Sequence, residues 1–230
     1  PELIKELKGL QQLNLVSHFS VPSPLFHLLL WDYGVMVTPY CGETLGSLLA
    51  KGEGKEEFEF FLEKLCEYIS QNSHLVPFSS LPERNPWSIS SENLRRINDK
   101  TPIVIPENVH VWEEHGDLHL ENVLLYQGKI YLIDPIWGSY PVVGCFLKMM
   151  SQWILLYHSK LDTVLYMCRE ILCTCEELGV RDQFINLLYP TLVRFKYLET
   201  TNPRFHSLCT QEKSSFIDTF LEIFSKEANL

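Results

Sequence analysis

Asp117 and Asn122 lie five positions apart in the polar segment His115-Gly116-Asp117-Leu118-His119-Leu120-Glu121-Asn122, and Asp134 follows twelve residues after Asn122. Two carboxylates and a carboxamide are all hard oxygen donors, the set that a divalent cation carrying phosphate oxygens accepts. Polar residues between two strands are ordinarily a turn, and a lone Asp in such a turn would carry no chemistry. Here the hairpin signalled by Gln127-Gly128 folds the strand ending at Asp134 back beside the polar segment, so the three side chains can converge. The apolar run Tyr131-Leu132-Ile133 places the Asp134 carboxylate at the end of a buried strand, where a charge needs a partner.

The elements that must position these residues are legible on both sides. Val123 to Tyr126 and Lys129 to Ile133 predict the two strands of the hairpin, and Val104 to Trp112 predicts a strand before the polar segment. Leu3, Leu7, Leu10 and Leu13 recur at helical spacing and predict an amphipathic helix that ends before Val21-Pro22-Ser23-Pro24. Leu25 to Trp31 and Val35 to Thr38 read as an antiparallel hairpin turning at Asp32-Tyr33-Gly34, ended by Pro39-Tyr40-Cys41-Gly42. Glu43 to Ala50 reads as helical. After an exposed break at Lys51 to Lys55, a long helix runs from Glu56 to Asn72 with Phe58, Phe61, Leu62, Leu65 and Ile69 on one face. Pro77 to Trp87 reads as a loop, and Ser91 with Glu92 opens a short helix ending near Asp99-Lys100. Four further helices are expected at Cys145 to Ser159, Asp162 to Leu178, Arg181 to Leu198 with a break at Pro190, and Ser214 to Ala228. The class is α+β, a small strand pair feeding a mainly helical body with one embedded polar loop.

Composition narrows the function. With 46% hydrophobic, 12% aromatic and 21% charged residues the chain is an ordinary globular one, which excludes disorder, collagen and coiled coil. Nineteen Lys and Arg against 29 Asp and Glu give a net charge of −10, the opposite of the basic footprint that a phosphate backbone requires, so no nucleic-acid partner is expected. An acidic surface serves solubility and equally suits a cationic small molecule or a metal-bound phosphate. Seven cysteines, an odd number spread through apolar segments, fit a reducing compartment, and Cys173-Thr174-Cys175 lacks the paired spacing of a zinc knuckle. The chain opens without a basic and apolar leader. Its longest apolar stretch, Val142 to Tyr157, is interrupted by Lys148, Ser151 and Gln152, so a cytoplasmic protein with no membrane span is expected. Pro1 stands where an untrimmed translation product would show Met, and a longer parent chain is the expectation.

His-Gly-Asp-Leu-His-x-x-Asn-Val-Leu at 115–124, followed by Ile133-Asp134-Pro135 at the end of the next strand, resembles the catalytic loop and metal site of the aminoglycoside phosphotransferase and choline kinase branch of the protein-kinase-like superfamily. The resemblance implies a protein-kinase-like fold, with residues 1–40 a partial N-lobe and 41–230 a helical C-lobe. It implies ATP and Mg²⁺, with Asp117 as the base that accepts the proton of the acceptor hydroxyl, Asn122 as a second-metal ligand and Asp134 as the main Mg²⁺ ligand bridging the ATP phosphates. His119 would either touch the γ-phosphate or the acceptor, or support the loop; His115 would pack and hydrogen-bond. Leu124 and Ile133 would floor the adenine pocket. Val35 to Leu45 resembles the last N-lobe strand, the hinge and the first C-lobe helix, so Pro39, Tyr40 and Cys41 would offer backbone groups to adenine. The opening helix resembles the αC helix, with Glu2 or Glu6 the candidate partner of an ATP-binding Lys, and a plain solvated charge the alternative for each.

The chain also departs from that pattern. A Gly-rich hairpin and a strand carrying the ATP-binding Lys would precede the αC helix, yet no G-x-G-x-x-G occurs, and Lys5 and Lys8 fall inside a helix. Either the sequence is cut at its N-terminus, the favoured reading, or the protein does without half of its ATP clamp, which would weaken stabilisation of the transferred group. Ile136 to Phe146 lacks the second acidic residue usual in this branch, which bears on the rigidity of the loop. Asp-Pro in place of Asp-Phe-Gly, and the absence of an Ala-Pro-Glu anchor, point to a small-molecule acceptor in preference to a protein. The leading expectation is a phosphotransferase acting on a hydroxyl of an aminoglycoside, choline or sugar-like small molecule, a cationic acceptor being one option among these. The alternatives are a pseudokinase or partner-binding module, and a protein kinase. Asp162, Glu170, Glu176, Glu177, Asp182 and Glu199 could bind an amine or be solvated helix faces; Trp153, Tyr157, Tyr166, Phe195 and Tyr197 could stack on a ring or be core.

Overall fold

The computed structural model describes residues 8–11, 19–23, 25–30, 33–80, 106–135, 138–157, 160–188, 191–192 and 211–227. These residues form the mixed α+β chain that the sequence implies, in two compact units. One comprises Pro1–His74 and Val111–Tyr140, the other Leu75–His110 and Pro141–Leu230.

In the first unit, β1 (Phe26–Leu30) and β2 (Tyr33–Val37) form a two-stranded antiparallel sheet with Phe26 opposite Val37 and Leu30 opposite Tyr33. In that register Tyr33 and Gly34 are strand residues, which corrects the expected Asp32-Tyr33-Gly34 turn at those two positions. A three-stranded sheet follows in the order β3 (Glu43–Thr44), β6 (Val123–Tyr126), β7 (Lys129–Leu132), all antiparallel. The β6–β7 turn has Gln127 at φ 51° and Gly128 at φ 71°, the pair of left-handed residues that a tight two-residue hairpin demands. Ser20 adds a parallel bridge opposite Tyr131, its N–H donating to Ile130 O at 2.9 Å and its carbonyl accepting from Leu132 N at 3.0 Å.

Glu43 and Thr44, expected in a helix, are extended because Thr44 is the N-cap of α1 (Leu45–Lys51), accepting at its hydroxyl from Ser47 N at 3.1 Å. Gly52, at φ 84°, ends α1. The Glu43 carboxylate bonds Lys51 Nζ and accepts from Ser47 Oγ, and those bonds, Lys51 foremost, hold it below the usual carboxylate range. Helix α2 (Lys55–Asn72) starts one residue earlier than expected and buries Phe58, Phe61, Leu62, Leu65, Tyr68 and Ile69 along one stripe. Phe61, with none of its surface exposed, meets Phe19 at a ring separation of 5.7 Å. Phe61→Ala is therefore expected to cost about 3–5 kcal/mol of stability, a large share of the ~5–15 kcal/mol typical of a domain. Urea denaturation reads this directly, and a loss under ~1 kcal/mol would contradict the packing.

Strands β4 (His74–Pro77) and β8 (Gly138–Pro141) were not expected; β5 (Asn108–Glu114) begins and ends later than Val104 to Trp112. A short 3₁₀ turn at Phe78–Ser80 occupies the start of the expected Pro77–Trp87 loop, and the expected helix near 91–100 lies outside the described residues. The second unit is helical: α3 (Val142–Tyr157), α4 (Leu161–Glu177), a helical segment at 181–188 and α5 (Gln211–Glu227). Helix α4 packs against both α3 and α5. Phe146, Met149, Trp153, Met167, Ile171, Phe184 and Phe220 are its fully buried centre, so Trp153 is core and not a stacking platform. Pro190, Phe195, Tyr197 and Glu199 lie outside the described residues. Among the described residues no helix is long and apolar enough to cross a membrane.

Candidate active site

The polar segment runs from the end of β5 to the start of β6 and is folded on itself by hydrogen bonds. Asn122 Nδ2 donates to the Asp117 carbonyl at 3.0 Å, and Asn122 N donates to His119 O at 2.8 Å, closing a 3₁₀ turn at Leu120–Asn122. Gly116 sits at φ 69°, letting the chain turn sharply one residue before Asp117. The loop is then tied to the far end of the hairpin: Ile133 N donates to Asn122 O at 3.1 Å, and the buried His115 ring bonds through Nε2 to Ile133 O. Asp117 and Asn122 thus share one hydrogen-bonded loop, and Asp134 follows directly on Ile133, the residue to which that loop is tied.

Within it the three differ in exposure. Asn122 is buried, at 7% exposure, and its amide is oriented by the bond to Asp117 O, which leaves its oxygen on the opposite edge of the carboxamide. Asp117 is half-buried, with His119 Nε2 3.9 Å from its Oδ2. Asp134 is exposed, which corrects the expectation of a carboxylate trapped at the mouth of a buried strand: Tyr131 and Ile133 are only half-buried, and solvent reaches the charge. Its backbone lies at φ 56°, a conformation that L residues other than Asn and Asp seldom take. The next residue, Pro135, is buried against Gly9, where a side chain would meet the Pro135 carbonyl oxygen at 2.8 Å.

The residues expected to face adenine are spread over the same unit. Leu124 and Ile133 are half-buried, whereas Pro39 and Tyr40 are exposed, Tyr40 meeting Tyr126 edge-on at 5.7 Å. Cys41 is buried; burial pushes its thiol up from the usual range, so it stays protonated and donates to Pro39 O at 3.3 Å. Gly42 carries this segment against β6 at φ 95°, and a Cβ there would lie 1.7 Å from Leu125 O. Gly42→Ala is expected to lose more than the ~1–3 kcal/mol that the left-handed conformation alone costs, because backbone must also move. Urea denaturation of the variant at wild-type stability would contradict so close an approach.

Sequence reasoning missed Glu121, which fell at an unspecified position of the motif. Its Oε2 accepts from the Thr44 hydroxyl at 2.7 Å and its Oε1 rests over Gly46. The S/T-x-x-S pattern at Thr44 marks a helix start, but nothing in one dimension joins that start to a residue 77 positions away. Glu2, Lys5 and Glu6 lie outside the described residues, and Lys8 is helical. Among the described residues, no three His, Cys, Asp or Glu side chains gather as a metal cluster.

No family model matches the chain, and no curated protein matches it. Among solved structures it is similar to amicoumacin kinase hAmiN in complex with AMP-PNP, Ca²⁺ and Ami, with 13% identity and a TM-score of 0.46, over 98% of this chain and 78% of that one. At that identity and superposition the likeness bears on no residue's role.

Proposed function

We propose that the chain is an ATP- and Mg²⁺-dependent phosphotransferase of protein-kinase-like fold whose acceptor is a hydroxyl of a small molecule, a cationic one being favoured by the net charge. The observation that supports this reading most is the bonding of the 115–122 loop to Ile133, the residue before Asp134, through Asn122 O and the His115 ring, together with the bond from Asn122 Nδ2 to the Asp117 carbonyl. The donor set fits Mg²⁺: a carboxylate that solvent and ligand can reach, and a carboxamide whose nitrogen is already engaged, so that its oxygen is the atom available to a cation. Asn122 and Asp134 would hold it, and when bound it supplies neutralisation of the charge on the transferred phosphoryl oxygens.

The chain's own part is positional and proton-handling. The Asp117 carboxylate accepts the proton of the acceptor hydroxyl as that oxygen bonds to the γ-phosphorus and the bond to the ADP oxygen breaks, giving phosphate ester, ADP and one proton. His119, 3.9 Å from the carboxylate, would stand beside the acceptor or the γ-phosphate. Leu124, Ile133 and the backbone of Pro39, Tyr40 and Cys41 would receive adenine. ADP release by the full chain with Mg·ATP, over a panel of aminoglycosides, amino alcohols and sugars, tests the reading. At least one acceptor should raise ADP release above the acceptor-free rate and EDTA should abolish the rise; a rate independent of every acceptor would contradict it.

A further inference from the structure

The Glu121 side chain leaves the catalytic loop and reaches the start of α1. Its Oε2 accepts the Thr44 hydroxyl proton at 2.7 Å, while the same Thr44 oxygen accepts from Ser47 N at 3.1 Å. A charge-assisted O–H···O⁻ bond of this length is among the stronger side-chain bonds. The other carboxylate oxygen occupies the space a side chain at Gly46 would take: a Cβ there would lie 2.3 Å from Oε1 and 3.1 Å from the carboxylate carbon. Gly46 is buried in the first full turn of a helix, where glycine is the poorest choice short of proline, so its presence matches the space the carboxylate needs. Glu121 lies between His119 and Asn122, the two residues whose backbones close the 3₁₀ turn.

We infer that Glu121 is a positioning residue, a strut from the loop of Asp117 and Asn122 to the Thr44 hydroxyl and Gly46 at the start of α1, which fixes the pose of that loop. Its effect on turnover rests on the phosphotransfer reading; its effect on loop order does not. Misplacing a reacting group by a fraction of its reach raises the barrier without weakening substrate binding elsewhere, so the strut acts on kcat more than on KM.

Amide hydrogen exchange and Mg·ATP turnover of the full chain test this with E121A, E121Q, T44S and G46A. In E121A the amides of Asn122 and Ile133 should exchange about tenfold faster or more, with Leu65 and Ile69 in α2 unchanged, as for a local opening. T44S keeps the donor and should stay near wild type, whereas E121Q keeps an acceptor without its charge and should fall between wild type and E121A. G46A improves the helix yet displaces the carboxylate, so it should speed loop exchange without loss of global stability. In turnover, E121A should lower kcat by about 10- to 100-fold with KM for ATP within about twofold. Unchanged exchange at Asn122 and Ile133 in E121A, or equal acceleration throughout α2, would overturn the strut. If the wild type turns over Mg·ATP no faster than D117N, the phosphotransfer reading fails by itself, and the exchange data still decide the strut.

Discussion

Asp117→Asn is expected to lower the kcat of phosphotransfer by about 10²–10⁴-fold, the range that removal of a positioned general base costs. Asn has the same shape as Asp, so the backbone contact that holds the site, from Asn122 Nδ2 to the residue 117 carbonyl, survives the change. KM for ATP should therefore move little, because on the proposed reading the substitution takes away the proton acceptor and leaves the loop in place. Steady-state kinetics at saturating acceptor read the split. A variant that loses affinity for ATP while keeping kcat would place Asp117 in binding and take the proton-transfer role away from it.

Asp134→Asn carries the second large effect. The left-handed backbone at φ 56° is one that Asn takes as readily as Asp, so this substitution removes the charge without straining the turn. The expected loss is about 10²–10³-fold in kcat, from the several kcal/mol of charge stabilisation that a metal ligand secures in phosphoryl transfer, at ~1.4 kcal/mol per factor of ten. The concentration of Mg²⁺ needed for half-maximal rate should rise as well. A D134N protein with a wild-type Mg²⁺ requirement would show that Asp134, exposed as it is, does not contribute to the metal site.

Much of the fold that frames these residues was legible because it rests on local signals. Gln127-Gly128 can hardly be anything but a tight turn, and the five apolar positions of α2 recur at helical spacing with acidic residues between them. Errors arose where long-range pairing decides. Tyr33 and Gly34 look like a turn until the register with β1 places them in a strand, and Glu43 and Thr44 look like a helix start until pairing with Leu125 and Leu124 extends them. β8, with Gly138 and Pro141 at its ends, carries the composition of a loop. At the candidate site the oxygen donors were legible from residue type and spacing. The exposure of Asp134 was not, since an apolar run before a charge does not report how much of the strand is covered. Glu121 was invisible for a related reason: its partners, Thr44 and Gly46, lie far away in sequence and have no chemistry of their own to attract notice.

The proposed reaction is transfer of the γ-phosphoryl group of ATP to a hydroxyl, with Asp117 taking the proton. Its most direct test is phosphorus NMR of the reaction products formed by wild type and D117N with Mg·ATP and an acceptor that stimulates ADP release. A new phosphate-ester resonance should grow in step with ADP for the wild type and be slowed by at least about 10²-fold in D117N. Inorganic phosphate as the sole product, or ester formation at the same rate in both proteins, would contradict it.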